Sequence, residues 1–381
     1  MSKLDELIRE LCPDGVKYKK LVDAVSIERG KRVVRSQLSI RGKYPVYQNS
    51  LTPLGYHTDY NYNANTTFII VAGAAGEIGF SDKAFWAADD CFTVVCPENV
   101  LNRYIYHLLL NNQNRLASKV RKASIPRLSR SAIENLVIPI PPLDVQREIV
   151  RILDNFTELT AELTVELTAR QKQYAFYRNK LLTFGKTEGA RIERIPLGDI
   201  GSICMCKRIL KSQTNTVGGV PFYKIGTFGK KADAYISQET FDEYRAKYNF
   251  PKKGDVLISA AGTIGRTVVY NGEPAYFQDS NIVWIDNNES IVLNSYLRYC
   301  YELKPWKASE GGTIPRLYND NIAKAVIAVP PIEEQKRIVS ILDRFDAICN
   351  DLTSGLPAEI EARQKQYEHY RDRLLSFKEL N

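Results

Sequence analysis

A handful of short stretches in this chain carry residue types that do chemistry, and each one fails on spacing or on flanking residues. Cys204 and Cys206 form the only close cysteine pair, but a tetrahedral metal site needs four soft or imidazole ligands. No second Cys/His pair lies near them, and His57, His107 and His369 are far apart, so no metal is expected. Glu334-Gln335-Lys336 matches the end of a nuclease Glu-x-Lys, yet the equivalent stretch earlier in the chain is Val145-Gln146-Arg147. The doubled prolines of Ile138-Pro139-Ile140-Pro141-Pro142 lack the Asn/Asp and aromatic flanks that amino-group methylation of a base needs. Neither a phosphate-binding Gly-x-x-x-x-Gly-Lys-Ser/Thr loop nor a Gly-x-Gly-x-x-Gly dinucleotide fingerprint occurs. The chain reads as a non-enzyme with no cofactor of its own.

What remains is the chemistry of binding. The formal charge is +8, concentrated as +7 over residues 19–135 and +4 over residues 191–325. Two basic blocks are what two phosphate-facing surfaces require, although an ordinary solvated basic surface has the same composition. Base edges are read by Arg, Lys, Asn, Gln and Ser/Thr side chains, with further cations on phosphates. The DNA-binding candidates in the first block are Lys31, Arg32, Arg35, Tyr47, Gln48, Asn49, Ser50, Lys119, Arg121 and Lys122. In the second they are Lys207, Arg208, Lys211, Tyr223, Lys224, Thr227, Lys230 and Lys231. Arg127 and Arg316, each in an Ile-Pro-Arg-Leu segment, have two readings: a phosphate contact, or a pin holding a domain onto its helix. Gly73, Gly76 and Gly79 with Gly262 and Gly265 read as a turn that needs glycine conformations, with close approach to phosphate as the alternative.

The elements that must position these residues are written twice. Leu21-Val22-Asp23, Lys31-Arg32, Ser36-Gln37 and Tyr44-Pro45-Val46-Tyr47 return as Leu197-Gly198-Asp199, Lys207-Arg208, Ser212-Gln213 and Val220-Pro221-Phe222-Tyr223. Ala74-Ala75-Gly76-Glu77-Ile78-Gly79 aligns with Ala260-Ala261-Gly262-Thr263-Ile264-Gly265, and Ile125-Pro126-Arg127-Leu128 recurs unchanged as Ile314-Pro315-Arg316-Leu317. Pro141-Pro142-Leu143 through Gln146 and Ile152-Leu153-Asp154 recur as Pro330-Pro331-Ile332 through Gln335 and Ile341-Leu342-Asp343. Ala169-Arg170-Gln171-Lys172-Gln173-Tyr174 is repeated as Ala362-Arg363-Gln364-Lys365-Gln366-Tyr367. A repeated supersecondary unit is the economical explanation for this ordered series.

Each copy has two textures. The first part alternates short Val/Ile/Tyr/Phe runs with Gly, Pro and Asn, the pattern of short strands with some helix, such as Asn102 to Leu116. The second comes after the double proline and runs as a long helix, Asp144 to Leu182 in the first copy. Its apolar stripe is Ile149, Leu153, Phe156, Leu159, Leu163 and Leu167, and in the second copy Ile338, Ile341, Phe345, Ile348 and Leu352. The second copy carries four extra residues, Ser354-Gly355-Leu356-Pro357, that should break or kink the helix. The first has a tandem unit there, Thr160-Ala161-Glu162-Leu163 then Thr164-Val165-Glu166-Leu167. One such unit is close to one helical turn, so it acts as an adjustable spacer of about 6 Å.

Two unlike basic domains, each followed by Pro-Pro-Leu/Ile-x-x-Gln and Arg-Gln-Lys-Gln-Tyr segments, resemble the specificity subunit of type I restriction-modification enzymes over nearly the whole chain. The resemblance implies an α+β fold with two similar target-recognition domains separated by two long antiparallel coiled-coil-like helices and related by an internal pseudo-two-fold repeat. On that reading the chain divides into an N-terminal arm, 1–18, a first recognition domain, 19–138, a central conserved helix, 139–186, a second recognition domain, 187–327, and a C-terminal conserved helix, 328–381. It further implies double-stranded DNA as ligand, each domain reading half of a bipartite site. Two modification (methyltransferase) subunits and restriction/translocation subunits are the implied partners, and S-adenosylmethionine, ATP and Mg belong to them. Gln146, Arg147, Arg170, Gln171, Gln335, Arg337, Arg363 and Gln364 are the candidates for partner contacts, with interhelical bonds as the alternative. A stand-alone DNA-binding protein, or a methyltransferase or nuclease with an unrecognised site, are the competing classes. Seven scattered cysteines fit reduced thiols, and with no apolar membrane span or signal core the expected location is the cytoplasm.

Overall fold

Proline lacks the amide hydrogen and the conformational range to sit inside a helix, so a doubled proline separates the element before it from the element after it. In the computed structural model, which describes residues 2–184, 192–307 and 316–380, both doubled prolines do this. Val137–Pro139 is a strand and the helix Leu143–Thr183 begins just past Pro142; Val326–Val329 is a strand and the helix Ile332–Asn350 begins just past Pro331. Three long helices and one short helix from each domain organise the rest. In chain order these are α1, Asn102–Asn111; α2, Leu143–Thr183; α3, Asn294–Glu302; α4, Ile332–Asn350; and α5, Leu356–Leu374. At 41 residues, α2 is roughly 60 Å long.

The break between α4 and α5 falls at the four-residue insertion. Asp351 accepts hydrogen bonds from the backbone N–H of Thr353 and from the hydroxyls of Thr353 and Ser354, both at 2.6 Å, which closes a turn. Gly355 is required there, because a Cβ would lie 2.5 Å from the carbonyl oxygen of Ala347. Ending α4 early also changes the stripe. Ile338, Leu342 and Cys349 are buried, whereas Ile348 and Leu352, expected within the stripe, are 42% and 75% exposed.

The chain packs as two compact units, Met1–Val165 with Ala358–Asn381, and Glu166–Pro357. It leaves the first unit inside the Thr164-Val165-Glu166-Leu167 repeat and returns at the insertion. Each unit therefore holds one α+β domain, half of α2, and one further helix. The strand order is the same in both. In the first unit Ser26–Arg29, Cys91–Val95, Thr66–Ile70 and Ile78–Ser81 form an antiparallel sheet in that order, and Tyr44–Tyr47 lies between Gly55–His57 and Trp86–Ala87. In the second, Gly201–Cys204, Ile282–Asn287, Val256–Ser259 and Thr267–Val269 repeat the first sheet, and Val220–Tyr223 lies between Tyr235–Ile236 and Tyr276–Phe277. Both three-stranded sheets contain one parallel pair, Tyr47 with Ala87 and Tyr223 with Phe277. A helix at Gln238–Lys247 is an addition of the second unit.

The structure moves the register of the glycine segment. Leu128 N–H donates to the carbonyl of Val71, and Leu317 N–H to that of Ala260, so Gly73 and Gly76 correspond to Gly262 and Gly265. All four have left-handed φ, between +65° and +95°. Gly79, aligned with Gly265 by sequence, sits in an extended strand where a Cβ would meet the Phe68 ring at 2.3 Å. The glycines of the segment thus serve a turn and a close packing contact. The paired segment of the second copy includes Ile314 and Pro315, which lie outside the described residues.

Each domain is bolted to its helices by the same side chain. Gln146 in α2 is fully buried; its carbonyl oxygen accepts from Leu101 N–H at 2.9 Å and its amide donates to the carbonyls of Asn99 and Pro141. Gln335 in α4 does the same with Leu293 N–H, Ile291 and Pro330. Beside it, Tyr104 and Tyr296 donate to the carbonyls of Pro139 and Ala328. Sequence alone offers partner contacts or interhelical bonds for these two glutamines; their amides are instead spent on the domain loop and the proline carbonyl, since a buried amide must find internal partners.

The second bolt differs between units. In the first, Asp154 of α2 accepts from Arg103 and from His107 Nε2, both at 2.8 Å, and the hydroxyl of Tyr367 in α5 lies 3.2 Å from His107 Nδ1. In the second, Tyr299 donates to Asp343 of α4, Arg298 pairs with Asp346, and Tyr174 and Arg178 of α2 both bond Glu302. The aromatic contacts have the same layout: Phe156 stacks on Tyr370 and Tyr177 on Phe345. Each half of α2 thus packs on one later helix of its own unit, α5 in the first and α4 in the second.

Gln335→Ala leaves a buried backbone N–H and two carbonyls short of a partner, and should lower the stability of the second unit by roughly 1–3 kcal/mol in a denaturant titration. The second bolt of the first unit is sensitive to pH. Burial pushes the pKa of His107 below its ordinary 6.5, and its hydrogen bond helps hold Asp154 below the usual carboxylate value. Both groups take up protons more readily when unfolded, so their stabilisation is full above pH 6.5 and is lost as pH falls through the folded pKa values. The melting temperature should drop from pH 6.5 downward, and His107→Gln should flatten the upper part of that decline.

Candidate nucleic-acid interface

The basic loop after the first strand of each large sheet is built identically in the two units. Val33 and Ile209 are buried and fix the loop to the domain core. Arg35–Gln37 and Lys211–Gln213 then form one 3-10 turn each. The side-chain oxygen of Gln37 accepts from Val34 N–H, and that of Gln213 from Leu210 N–H, both at 2.9 Å. This is why Ser-Gln recurs: the glutamine closes the turn. A ring from the neighbouring sheet holds the other end of the loop. Trp86 Nε1 donates to the carbonyl of Lys31 at 2.9 Å, and the Tyr276 hydroxyl to that of Lys207 at 3.0 Å. Lys31, Arg32, Arg35, Lys207, Arg208 and Lys211 project from these frames and are exposed.

From this loop, backbone contacts lead to most of the other candidates. In the first unit Lys31 N–H donates to the Ala87 carbonyl, Ala88 N–H to that of Tyr47, and Ala74 N–H to that of Asn49. Gly73 N–H donates to the Pro126 carbonyl, and Arg127 exchanges backbone hydrogen bonds with Arg121. The Lys31 loop, the Tyr47 to Ser50 segment and the basic run ending at Lys122 are therefore joined in series through direct contacts. In the second unit Gln278 links the strand to the loop, its N–H donating to the Tyr223 carbonyl and its side chain accepting from Ile225 N–H. Arg208, Lys211, Asn215, Lys224, Asp233 and Gln278 line one concavity. Sequence does not single out Asn215, Asp233 and Gln278, because nothing local marks them; the sheet brings them there.

Several candidates turn out to hold the frame. Tyr47 stacks on Phe68 at 4.5 Å and meets Phe85 edge-on, and burial raises its hydroxyl pKa. Tyr223 stacks on Phe277 at 5.9 Å. The hydroxyl of Ser50 donates to the Thr52 carbonyl, and that of Thr227 bonds the backbone of Lys224 on both sides of a tight turn. Lys224 stays at the surface instead, paired with Asp233 at 2.8 Å in the concavity of the second domain. The Arg316 guanidinium donates to the carbonyl and hydroxyl of Ser280 within its own domain, while Arg127 is exposed. Gln48, Asn49, Lys119, Arg121, Lys122, Lys230 and Lys231 remain partly or fully exposed on the surfaces described.

On the helices, the remaining partner candidates form surface pairs of identical design. Arg170 contacts Glu166 and Gln173; Arg363 contacts Glu359 and Gln366. Arg147 pairs with Asp144, and Arg337 with Glu334 through two bonds. Gln171 and Gln364 are exposed. Pairs like these contribute little stability and leave the helix surface polar. Burial pushes the Cys206 thiol up to about 12, Lys336 is paired with Glu333, and all seven cysteines are free. No helix among the described residues is long and apolar enough to cross a membrane.

Comparison with known proteins accounts for this duplicated frame. Residues 13–170 and 191–362 each match the family model for the type I restriction modification DNA specificity domain. A putative type I restriction enzyme specificity subunit of Haemophilus influenzae is 48% identical over 378 residues, covering 95% of this chain and 96% of that protein. A type I restriction enzyme specificity subunit of Escherichia coli is 32% identical over 325 residues, covering 79% of this chain and 77% of that protein. In fold, the chain resembles the S subunit of a type I restriction-modification system from M. genitalium, with a TM-score of 0.65 at 15% identity over 95% of this chain and 96% of the other. The chain belongs to the type I restriction-modification DNA specificity family, as a specificity subunit.

Proposed function

We propose that the two recognition domains, 19–138 and 187–327, each read one half of a bipartite double-stranded DNA site and that the long helices set the separation of the halves. The observation that carries this is the pair of equivalent cationic loops, Lys31 to Gln37 and Lys207 to Gln213, held in the same frame while the residues beside them differ. Shared cations fit phosphate contacts that every DNA offers, and the differing Gln48-Asn49 and Lys224-Ile225 fit the reading of unlike half-sites. The arrangement resembles that of dimeric readers, in which the spacing of two half-sites is set by the spacing of two identical frames. Here one chain supplies both.

In this reading the chain performs no chemistry itself. Two modification subunits dock on the helices, at faces that include Arg147, Arg170, Gln171, Arg337, Arg363 and Gln364, and they supply methylation with S-adenosylmethionine. Restriction/translocation subunits add ATP- and Mg-dependent work on DNA. The threonines of α2 support the role of spacer. The hydroxyls of Thr157, Thr160 and Thr164 each bond the carbonyl four residues earlier, so the same turn-to-turn contact recurs as the helix passes into and through the tandem units.

The decisive experiment is single-molecule methylation mapping in cells that express this chain with its modification subunit, compared with cells lacking the chain. A bipartite motif carrying N6-methyladenine should appear only with the chain; an identical methylome in both would end this reading. Deleting Thr164 to Leu167 should shorten the unspecified spacer and leave both half-sites unchanged. Altered half-site bases would refute the spacer role.

A further inference from the structure

The two cationic loops share more than their charges. Aligned on their turns, they read Lys31-Arg32-Val33-Val34-Arg35-Ser36-Gln37 and Lys207-Arg208-Ile209-Leu210-Lys211-Ser212-Gln213. The first aliphatic residue of each is buried, 6% and 9% exposed, and anchors the loop. The second is not: Val34 is 47% exposed and Leu210 is 56% exposed. Both stand in extended backbone, with φ and ψ of −107° and 154° for Val34 and −81° and 151° for Leu210. In both, the glutamine side chain ties the backbone N–H, so the aliphatic group is presented from a fixed point between cations on either side.

Packing gives no reason for an apolar side chain there, since the neighbouring aliphatic residue already serves the core. The rest of the loop is matched to phosphate, which makes DNA the partner that the surrounding charge selects. An aliphatic group brought up to the duplex by flanking cations has two things to touch: a thymine methyl, or the faces of a base step that it pries apart. The first is specific for a base and would differ between unlike half-sites. An aliphatic residue at the equivalent place in both copies fits the second.

Resting on the DNA-recognition reading above, we propose that Val34 and Leu210 are paired wedges, each pressed into a base step of its own half-site and unstacking it. Such a wedge also prepares the duplex for a partner that acts on a base, because a base inside the stack is out of reach of a methyltransferase pocket. The wedge is a positioning device; it takes no part in bond making.

The test uses the complex of this chain with its modification subunits on duplexes bearing the mapped site, with 2-aminopurine scanned through each half-site. The wild-type complex should raise 2-aminopurine fluorescence at one step per half-site. Leu210→Ser should abolish the rise in the second half-site alone, and Val34→Ser in the first alone, each weakening binding roughly 5- to 10-fold. The salt dependence of binding should be unchanged, since no phosphate contact is lost, whereas Lys211→Ala should lower its slope by about one. Leu210→Met should keep the signal. Wild-type fluorescence and affinity in both serine variants, or a loss of affinity accompanied by a reduced salt slope, would overturn the wedge. If the Lys211, Lys207 and Arg208 variants were also silent, the failure would lie with DNA recognition itself.

Discussion

A glutamine side chain in the first turn of a helix is costly to bury unless its oxygen and both its N–H groups are matched, and the architecture depends on two such amides, Gln146 and Gln335, matched in the same way. Each bonds the loop that leads into the domain's own helix and the carbonyl of the first proline of the doubled pair. The domain, the turn and the long helix thereby share one rigid joint. A reader of two half-sites needs this joint, because any play between domain and helix becomes uncertainty in where the half-site contacts fall.

Around that constant joint the two units diverge. The helix side keeps its chemistry: Asp154 and Asp343 at equivalent places, Tyr367 and Tyr174 in the repeated Arg-Gln-Lys-Gln-Tyr segment, and Arg371 and Arg178 four residues later. The domain side does not. His107 and Asn111 meet this set in the first unit, Tyr299 and Glu302 in the second. The same helix residues therefore meet an imidazole in one unit and a phenol with a carboxylate in the other. Only the first seat is built on histidine, the side chain whose ordinary pKa lies nearest neutrality.

The loops show the converse economy. What is constant is the cradle: a buried aliphatic anchor, a glutamine closing the 3-10 turn, and a ring nitrogen or hydroxyl on the lysine carbonyl. The side chains that leave this cradle toward solvent are mainly cations in both units, with one aliphatic residue among them. Tyr47 and Tyr223 belong to the frame, since their rings are stacked within the domain, and the residues just after them are the ones that vary.

The duplication, the two doubled prolines, the extent of the long helix to within a residue at each end, the break at Ser354 to Pro357 and the two basic blocks can all be read from residue order. Those are legible because they rest on local rules: proline cannot continue a helix, glycine breaks one, and like segments fold alike. Tertiary structure alone decided which polar side chains face inward. Gln146 and Gln171 look equally exposed in a string of helix residues, yet one is buried and the other is not. It also decided the register of the glycine segment, because Gly76 and Gly79 are told apart only by their hydrogen-bond partners and by the Phe68 ring. Asn215, Asp233 and Gln278 reach the concavity of the second domain only through the pairing of strands distant in sequence, and Val34 and Val33 acquire opposite roles only once a core exists for one of them to enter.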